Sequence, residues 1–185
     1  MTDSTPFDGA VSATDDAVGS LDDPEAAAAQ RGIEVDALSV EHGGDEAWEN
    51  HPEHGTAGRA VVGATDNDGR LLAGVADDGA AYPLTDTVPP EGDFAAAGRA
   101  FVAGATGSDA TLTEVRAVRA VEHTVDGAVR VRTHHVVFGA RVADDTVRDG
   151  LCETNPLTLR WLDAVPAATP AGSVRDDLAL FVGAE

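Results

Sequence analysis

The chain has 185 residues, 43% of them hydrophobic, which is enough for one domain of ordinary size with a full core. It carries 33 acidic residues against 12 basic ones, a formal net charge of -21, and every one of the twelve cations is arginine. That balance argues against nucleic acid as a partner, because no phosphate-neutralising patch is present, and the periodic apolar runs argue against a disordered chain.

The first 22 residues are rich in Asp, Ser, Thr, Ala and Gly and read as a mobile arm or a weak helix. They lack a basic start and an apolar centre, so they do not form a signal peptide. Asp23-Pro24-Glu25 then opens a short helix that Gly32 stops. Ile33 to Val40 alternates apolar with polar residues and predicts a strand. Residues 41–58 are rich in Gly, His and acids, with Trp48 as an anchor. Strands follow at Arg59–Thr65 and Arg70–Ala76, and a brief return at Ala80–Leu84 leads into a loop containing Pro89 and Pro90. Phe94 to about Gly107 predicts a helix, with Pro90, Glu91 and Asp93 near its start, where negative charge is favoured. Thr111–Val125 and Ala128–Val142 form a long hairpin about the turn Asp126-Gly127. Counting outward from that turn places His123 opposite Arg130 and Glu122 opposite Val131. A polar loop at 143–156, a strand at Leu157–Leu162 and a helical spacing from Ser173 to Val182 complete the order. The expected architecture is α/β with a mixed, partly antiparallel sheet. No apolar run reaches the roughly 18 residues of a membrane span, so the expectation is a soluble cytoplasmic protein without a membrane partner.

The helix at 94–108 is unusual within this chain. Although 33 residues are acidic, none lies between Asp93 and Asp109. Around it, residues 57–185 resemble a Nudix domain, whose box reads G-x5-E-x7-R-E-U-x-E-E-x-G-U. The resemblance rests on Phe94-Ala95-Ala96-Ala97 and Thr106-Gly107 in register, on GRAVVGATDNDGRLLAGV before them, on VRVRTHHVVFGARV after them, and on Arg160-Trp161-Leu162-Asp163-Ala164-Val165-Pro166. It implies a Nudix-like α/β/α sandwich at 57–185, with residues 1–56 as an N-terminal extension. In active members the box glutamates lie at i, i+3 and i+4, on one helix face, and hold Mg²⁺ or Mn²⁺ against a diphosphate. With Gly107 as anchor, those positions here are Phe101, Gly104 and Ala105; the box Arg falls at Ala100 beside Arg99, the early glycine at Asp86 and the first box Glu at Gly92.

Three functions follow as expectations. The first is a Nudix-fold protein without hydrolysis, binding a nucleotide-like metabolite or a protein partner, with Arg59, Asp86, Arg99 and Arg119 as ligand-binding residues; Arg132 is a further candidate cation. Arginine binds phosphate through two parallel donors, and this chain has no lysine. The second is an atypical hydrolase of nucleoside diphosphate derivatives that uses Glu91, Asp93 or Glu153, with Mg²⁺ or Mn²⁺ on Asp86, Glu91 and Asp93. The third is an adaptor acting through residues 1–56. A homodimer is compatible with all three.

Other residues read more plainly. His51-Pro52-Glu53-His54, with His42 upstream, lacks the third or fourth convergent ligand of a zinc site nearby and reads as a polar loop. His134 and His135 point to opposite faces of a strand and do not chelate together. Cys152 is the only cysteine, so no disulfide forms within the chain, and it reads as a small buried residue. The acidic surface suits molar salt, where the Debye length is about 3 Å and like charges hardly repel. In this it resembles the cytoplasmic proteins of haloarchaea.

Overall fold

A computed structural model describes residues 18–142 and 157–184. Cys152 and Glu153 therefore lie outside the described residues.

The chain order is α1 (Pro24–Arg31), β1 (Val35–His42), α2 (Asp45–Glu49), β2 (Gly58–Thr65), β3 (Leu71–Val75), β4 (Ala81–Tyr82), β5 (Leu84–Val88), α3 (Phe94–Thr106), β6 (Ala110–Val125), β7 (Ala128–Val142), β8 (Thr158–Leu162), β9 (Ala164–Val165), α4 (Ser173–Ala179) and β10 (Gly183–Ala184). The main sheet runs β1-β6-β7-β2-β3-β4, with β5 paired to β2 and β8 to β3. Strand β1 is parallel to β6 and β2 is parallel to β7, while the other pairs of this sheet are antiparallel. The protein is thus α/β with a mixed, partly antiparallel sheet and helices packed on it.

Period-2 alternation sorts the strand residues between two faces. Ala60, Val62 and Ala64 of β2 and Val136, Phe138 and Ala140 of β7 join Phe94, Ala95 and Val102 of α3 and Ala27 and Ala28 of α1 in one core. A smaller core of Leu71, Ala73, Val165, Leu178 and Val182 seats α4 and β9 on the opposite face. There the Phe181 ring packs against β2: a Cβ at Gly63 would stand 2.2 Å from it. Arg59 of β2 and Thr133 and His135 of β7, also at odd-numbered positions, share this second face.

The N-terminal segment is built into the same core. Val18 and Leu21 belong to the larger cluster, β1 is an edge strand of the main sheet, and Phe94 N–H donates to the Leu21 carbonyl at 2.8 Å. Two short elements differ from expectation. Strand β5 forms where a loop was expected, because Leu84 and Val88 bury their side chains while Pro83, Pro89 and Pro90 only bound it. Helix α2 forms around Trp48, which is buried.

The long hairpin turns at Asp126-Gly127, both with positive φ (52° and 75°), the conformation a two-residue turn requires. Its register is one residue off the simple count. His123 faces Val131 and Glu122 faces Arg132, because a bulge between His123 and Thr124 leaves Arg130 extra. No helix among the described residues is long and apolar enough to cross a membrane.

Candidate functional site

Helix α3 turns its apolar stripe into the larger core. Phe94, Gly98, Val102 and Ala105 recur at helical spacing and are all buried. Of the three positions that match box glutamates, Ala105 is fully buried, Phe101 packs partly buried against the core, and Gly104 is half-buried. None offers an oxygen, so these side chains do not fit the Mg²⁺ or Mn²⁺ of an active box.

The polar groups at the start of α3 fasten the chain. One carboxylate oxygen of Asp93 accepts the N–H groups of Ala95 (2.8 Å), Ala96 (3.0 Å) and Leu21 (3.0 Å). Partial burial pushes this carboxyl up, but the bonds from Leu21, Ala96, Ser20 and Ala95 outweigh it and hold the group below the usual aspartate range. Arg99 donates to the Val18 carbonyl at 2.6 Å, tying down the same segment. Asp86 is exposed and accepts the N–H of its neighbour Thr87 at 2.8 Å. Glu91 is exposed at a turn with φ 60°. Among the described residues, Asp86, Glu91 and Asp93 form no converging metal group.

Nor do the candidate arginines converge. Arg59 pairs with Glu53 at 2.6 Å, Arg119 with Asp177 at 2.6 Å and Arg132 with Glu122 at 2.5 Å. Arg99 belongs to the α3 side of the sheet. The Arg119–Asp177 pair is buried, and burial raises the Asp177 carboxyl against the pull of Arg119. In a chain with one cation to nearly three acids, each of these arginines has already met an acid or a carbonyl.

The richest grouping of chemistry lies on the second face, where the segment between β1 and β2 folds down onto the sheet. Its hub is the buried carboxylate of Glu53. Oε1 accepts from Arg59 Nε (2.6 Å) and His135 Nε2 (2.9 Å), and Oε2 accepts from Thr133 Oγ1 (2.7 Å) and contacts His123 Nε2 (3.2 Å). Burial pushes Glu53 up, but the bond and charge of His135, Thr133 and the Arg59 guanidinium together hold it far below the usual range. Thr133 gives its one proton to Glu53, so toward His123 Nε2, at 3.0 Å, it can only accept. His123 Nε2 is therefore the protonated nitrogen. In a neutral ring, Nδ1 is then an acceptor, and His42 Nε2 stands 3.0 Å from it.

Burial lowers the His123 pKa against the pull of Glu53, and it lowers that of His51 as well, so both rings favour the neutral form. One ring nitrogen each of His42, His51 and His123 lies within 4.8 Å of the others. Trp48 walls this group, with ring centroids 5.1 Å from His42 and 4.8 Å from His123. His54 is exposed, lies outside this group and meets Trp48 edge-on at 5.1 Å.

The polar-loop reading of this segment thus needs correction. The third imidazole comes from β6, 81 positions after His42, and no local spacing reveals it. The parallel pairing of β1 with β6 brings the two together. His134 and His135 do face opposite ways, toward Glu25 and Glu53 respectively. No family model matches the chain, and no curated protein matches it at significant similarity.

Proposed function

We propose that this chain keeps a Nudix-like scaffold without metal-dependent diphosphate hydrolysis at its helix, and works by binding a small, anionic, nucleotide-like metabolite. One observation carries the first half. The helix face that would present carboxylates is packed into the core at Ala105 and Phe101, and the acid at its start, Asp93, is committed to three backbone N–H groups. Acids that cap a helix and fasten a strap are not free to hold a divalent ion against phosphate.

A cleft on the opposite sheet face supports the second half. It encloses about 340 Å³ and is lined by Thr65, Glu114, Arg116, Arg141 and Phe181 over a floor that includes Gly63 and Gly139. That volume lies in the range of small-molecule sites. Arg116 stands 5.7 Å above the Phe181 ring and pairs with Glu114 at 2.8 Å, while Arg141 is exposed at the rim. An aromatic plane beside two guanidinium groups suits a flat, anionic ligand. We place the protein in a high-salt cytoplasm, because its acidic surface gains most where screening is strong.

The test is equilibrium binding and turnover in molar KCl with Mg²⁺ or Mn²⁺, across a panel of nucleoside diphosphate derivatives. Saturable binding is expected, weakened about tenfold by Arg141→Ala, in line with the loss of one charge-assisted contact. No phosphate or nucleoside monophosphate should be released. Metal-dependent turnover would overturn the first half of the reading, and failure of the whole panel to bind would overturn the second.

A further inference from the structure

We propose that His42, His51 and His123 form a binding site for one divalent transition-metal ion of the Zn²⁺ class, with Glu53 as the outer carboxylate that orients His123. The site is independent of α3 and of the cleft beside Phe181.

Three features carry it. The first is convergence. The chain has only six histidines, and three of them, from β1, the segment after α2 and β6, bring a ring nitrogen each within 4.8 Å of one another. Two of the three are buried, at 7% and 0% exposure for His42 and His123. Burying imidazoles side by side without a shared purpose forgoes apolar packing, and the ring stack with Trp48 alone does not require three of them.

The second is the outer arrangement. Metal-bound histidines characteristically donate their distal N–H to a carboxylate, which fixes the tautomer and aims the other nitrogen at the ion. His123 meets that description: Nε2 faces Glu53 Oε2 and Thr133 Oγ1, which leaves Nδ1 facing His42. Glu53 is in turn fixed by Arg59, His135 and Thr133. The hub is fully partnered before any ion arrives.

The third is donor chemistry. Imidazole nitrogen suits Zn²⁺, Cu²⁺ or Ni²⁺ and discriminates against Mg²⁺ and Ca²⁺, which take oxygen. Three protein ligands leave a fourth position, and His51 is the half-exposed member of the three. Binding exchanges hydrogen bonding for coordination. His42 passes to its Nδ1–H tautomer, so that its Nε2 leaves the bond to His123 Nδ1 with a free lone pair, and His51 turns a ring nitrogen to the ion, keeping or giving up the Glu53 N–H now 3.2 Å from its Nδ1.

The test uses the full chain, stripped with chelator and held in molar KCl with excess Mg²⁺ to saturate the surface carboxylates. Zn²⁺ is titrated by calorimetry and Co²⁺ by visible absorption. The expected result is one ion per chain, with a Co²⁺ spectrum of the intense, low-coordinate kind that nitrogen ligands give. His51→Ala should weaken Zn²⁺ binding at least tenfold and abolish that spectrum, while His54→Ala leaves both unchanged. His51 is chosen because it is the least buried of the three, and the metal-free thermal midpoint checks that its variant still folds. If it does not fold, the wild-type Co²⁺ spectrum decides alone: a weak octahedral spectrum that excess Mg²⁺ removes marks surface carboxylates and overturns the site. Absence of Zn²⁺ binding, or equal weakening by His51→Ala and His54→Ala, also overturns it.

Discussion

The two faces of the main sheet treat charge in opposite ways. On the α3 face an acid-rich chain supplies no acid to the helix interior: the stripe is Phe94, Gly98, Val102 and Ala105, and Asp93 and Arg99 are used at the edge to bind backbone. On the other face the chain buries two carboxylates (Glu53 and Asp177), Arg119 and two histidines (His42 and His123); Glu53 is held by Arg59, Thr133 and His135, and Arg119 and Asp177 form an ion pair. One face is stabilised by removing apolar area from water, roughly 25 cal/mol per Å². The other depends on completeness of pairing, since a buried charge is tolerable only while its partners remain. The first is forgiving of isosteric change and intolerant of polarity. The second is intolerant of losing any single member. The acid-free helix is therefore a packing surface, and the unusual chemistry of the chain has to be sought across the sheet from it.

The sharpest way to break this contrast is Glu53→Ala. Removing the hub leaves Arg59, His123, His135 and Thr133 without their shared acceptor. The expected loss is about 3–5 kcal/mol of unfolding free energy, by denaturant titration in molar KCl. A loss below about 1 kcal/mol would mean that water replaces the carboxylate and that the two faces do not differ as argued. Next is Ala105→Glu, which returns an acid to a box position. Because Ala105 is fully buried against the core, a loss of about 3 kcal/mol is expected from overpacking and an unpaired carboxyl. Unchanged stability would show that α3 can rotate or open to present that face.

How much of this was legible beforehand differs between the faces for physical reasons. Helices α1 and α3, the long hairpin and its turn depend on local signals, a cap, a stop and a period, and the strands follow from alternation. Strand β5 was hidden by its prolines, and the hairpin register by a bulge at Arg130 that no residue type announces. The histidine group was not legible because its members are joined by pairing β1 with β6 across 81 positions. One trace existed: His123 sits at an inward position of a strand otherwise rich in valine, where a polar ring demands a partner.

Asp93→Ala tests the edge of the apolar face. It removes a helix cap and the bond to Leu21 together, and the expected cost is about 1–2 kcal/mol. The same residue makes a pH prediction. Its folded pKa lies below the ordinary 3.8, so the folded protein binds this proton less readily than the unfolded chain. Its contribution is full above that value and is lost as pH falls through the lower, folded value. Asp93→Asn should flatten the acid limb of the stability curve there, leaving the curve above pH ~5 parallel to wild type. Asp177, raised by burial, acts with the opposite sign: relative to the unfolded chain it favours the folded protein most when protonated, and that contribution is lost as pH rises through its folded value.

The smallest expected effect is also the most diagnostic for the helix. Gly104 matches a box glutamate but is only half-buried, at a point where α3 does not press on the core as it does at Ala105. Glycine within a helix costs close to 1 kcal/mol relative to alanine, and glutamate is nearly as good a helix former as alanine. Gly104→Glu should therefore raise stability by about 0.5 kcal/mol, read as a small increase in the denaturant midpoint with unchanged slope. A single exposed carboxylate has no second acid within the helix to share an ion with, so the variant should gain no turnover of nucleoside diphosphate derivatives with Mg²⁺ or Mn²⁺. Stabilisation without activity is what a packing helix predicts. Activity gained on this one change would mean that the remaining ligands stand ready around α3, and the contrast between the faces would have to be redrawn.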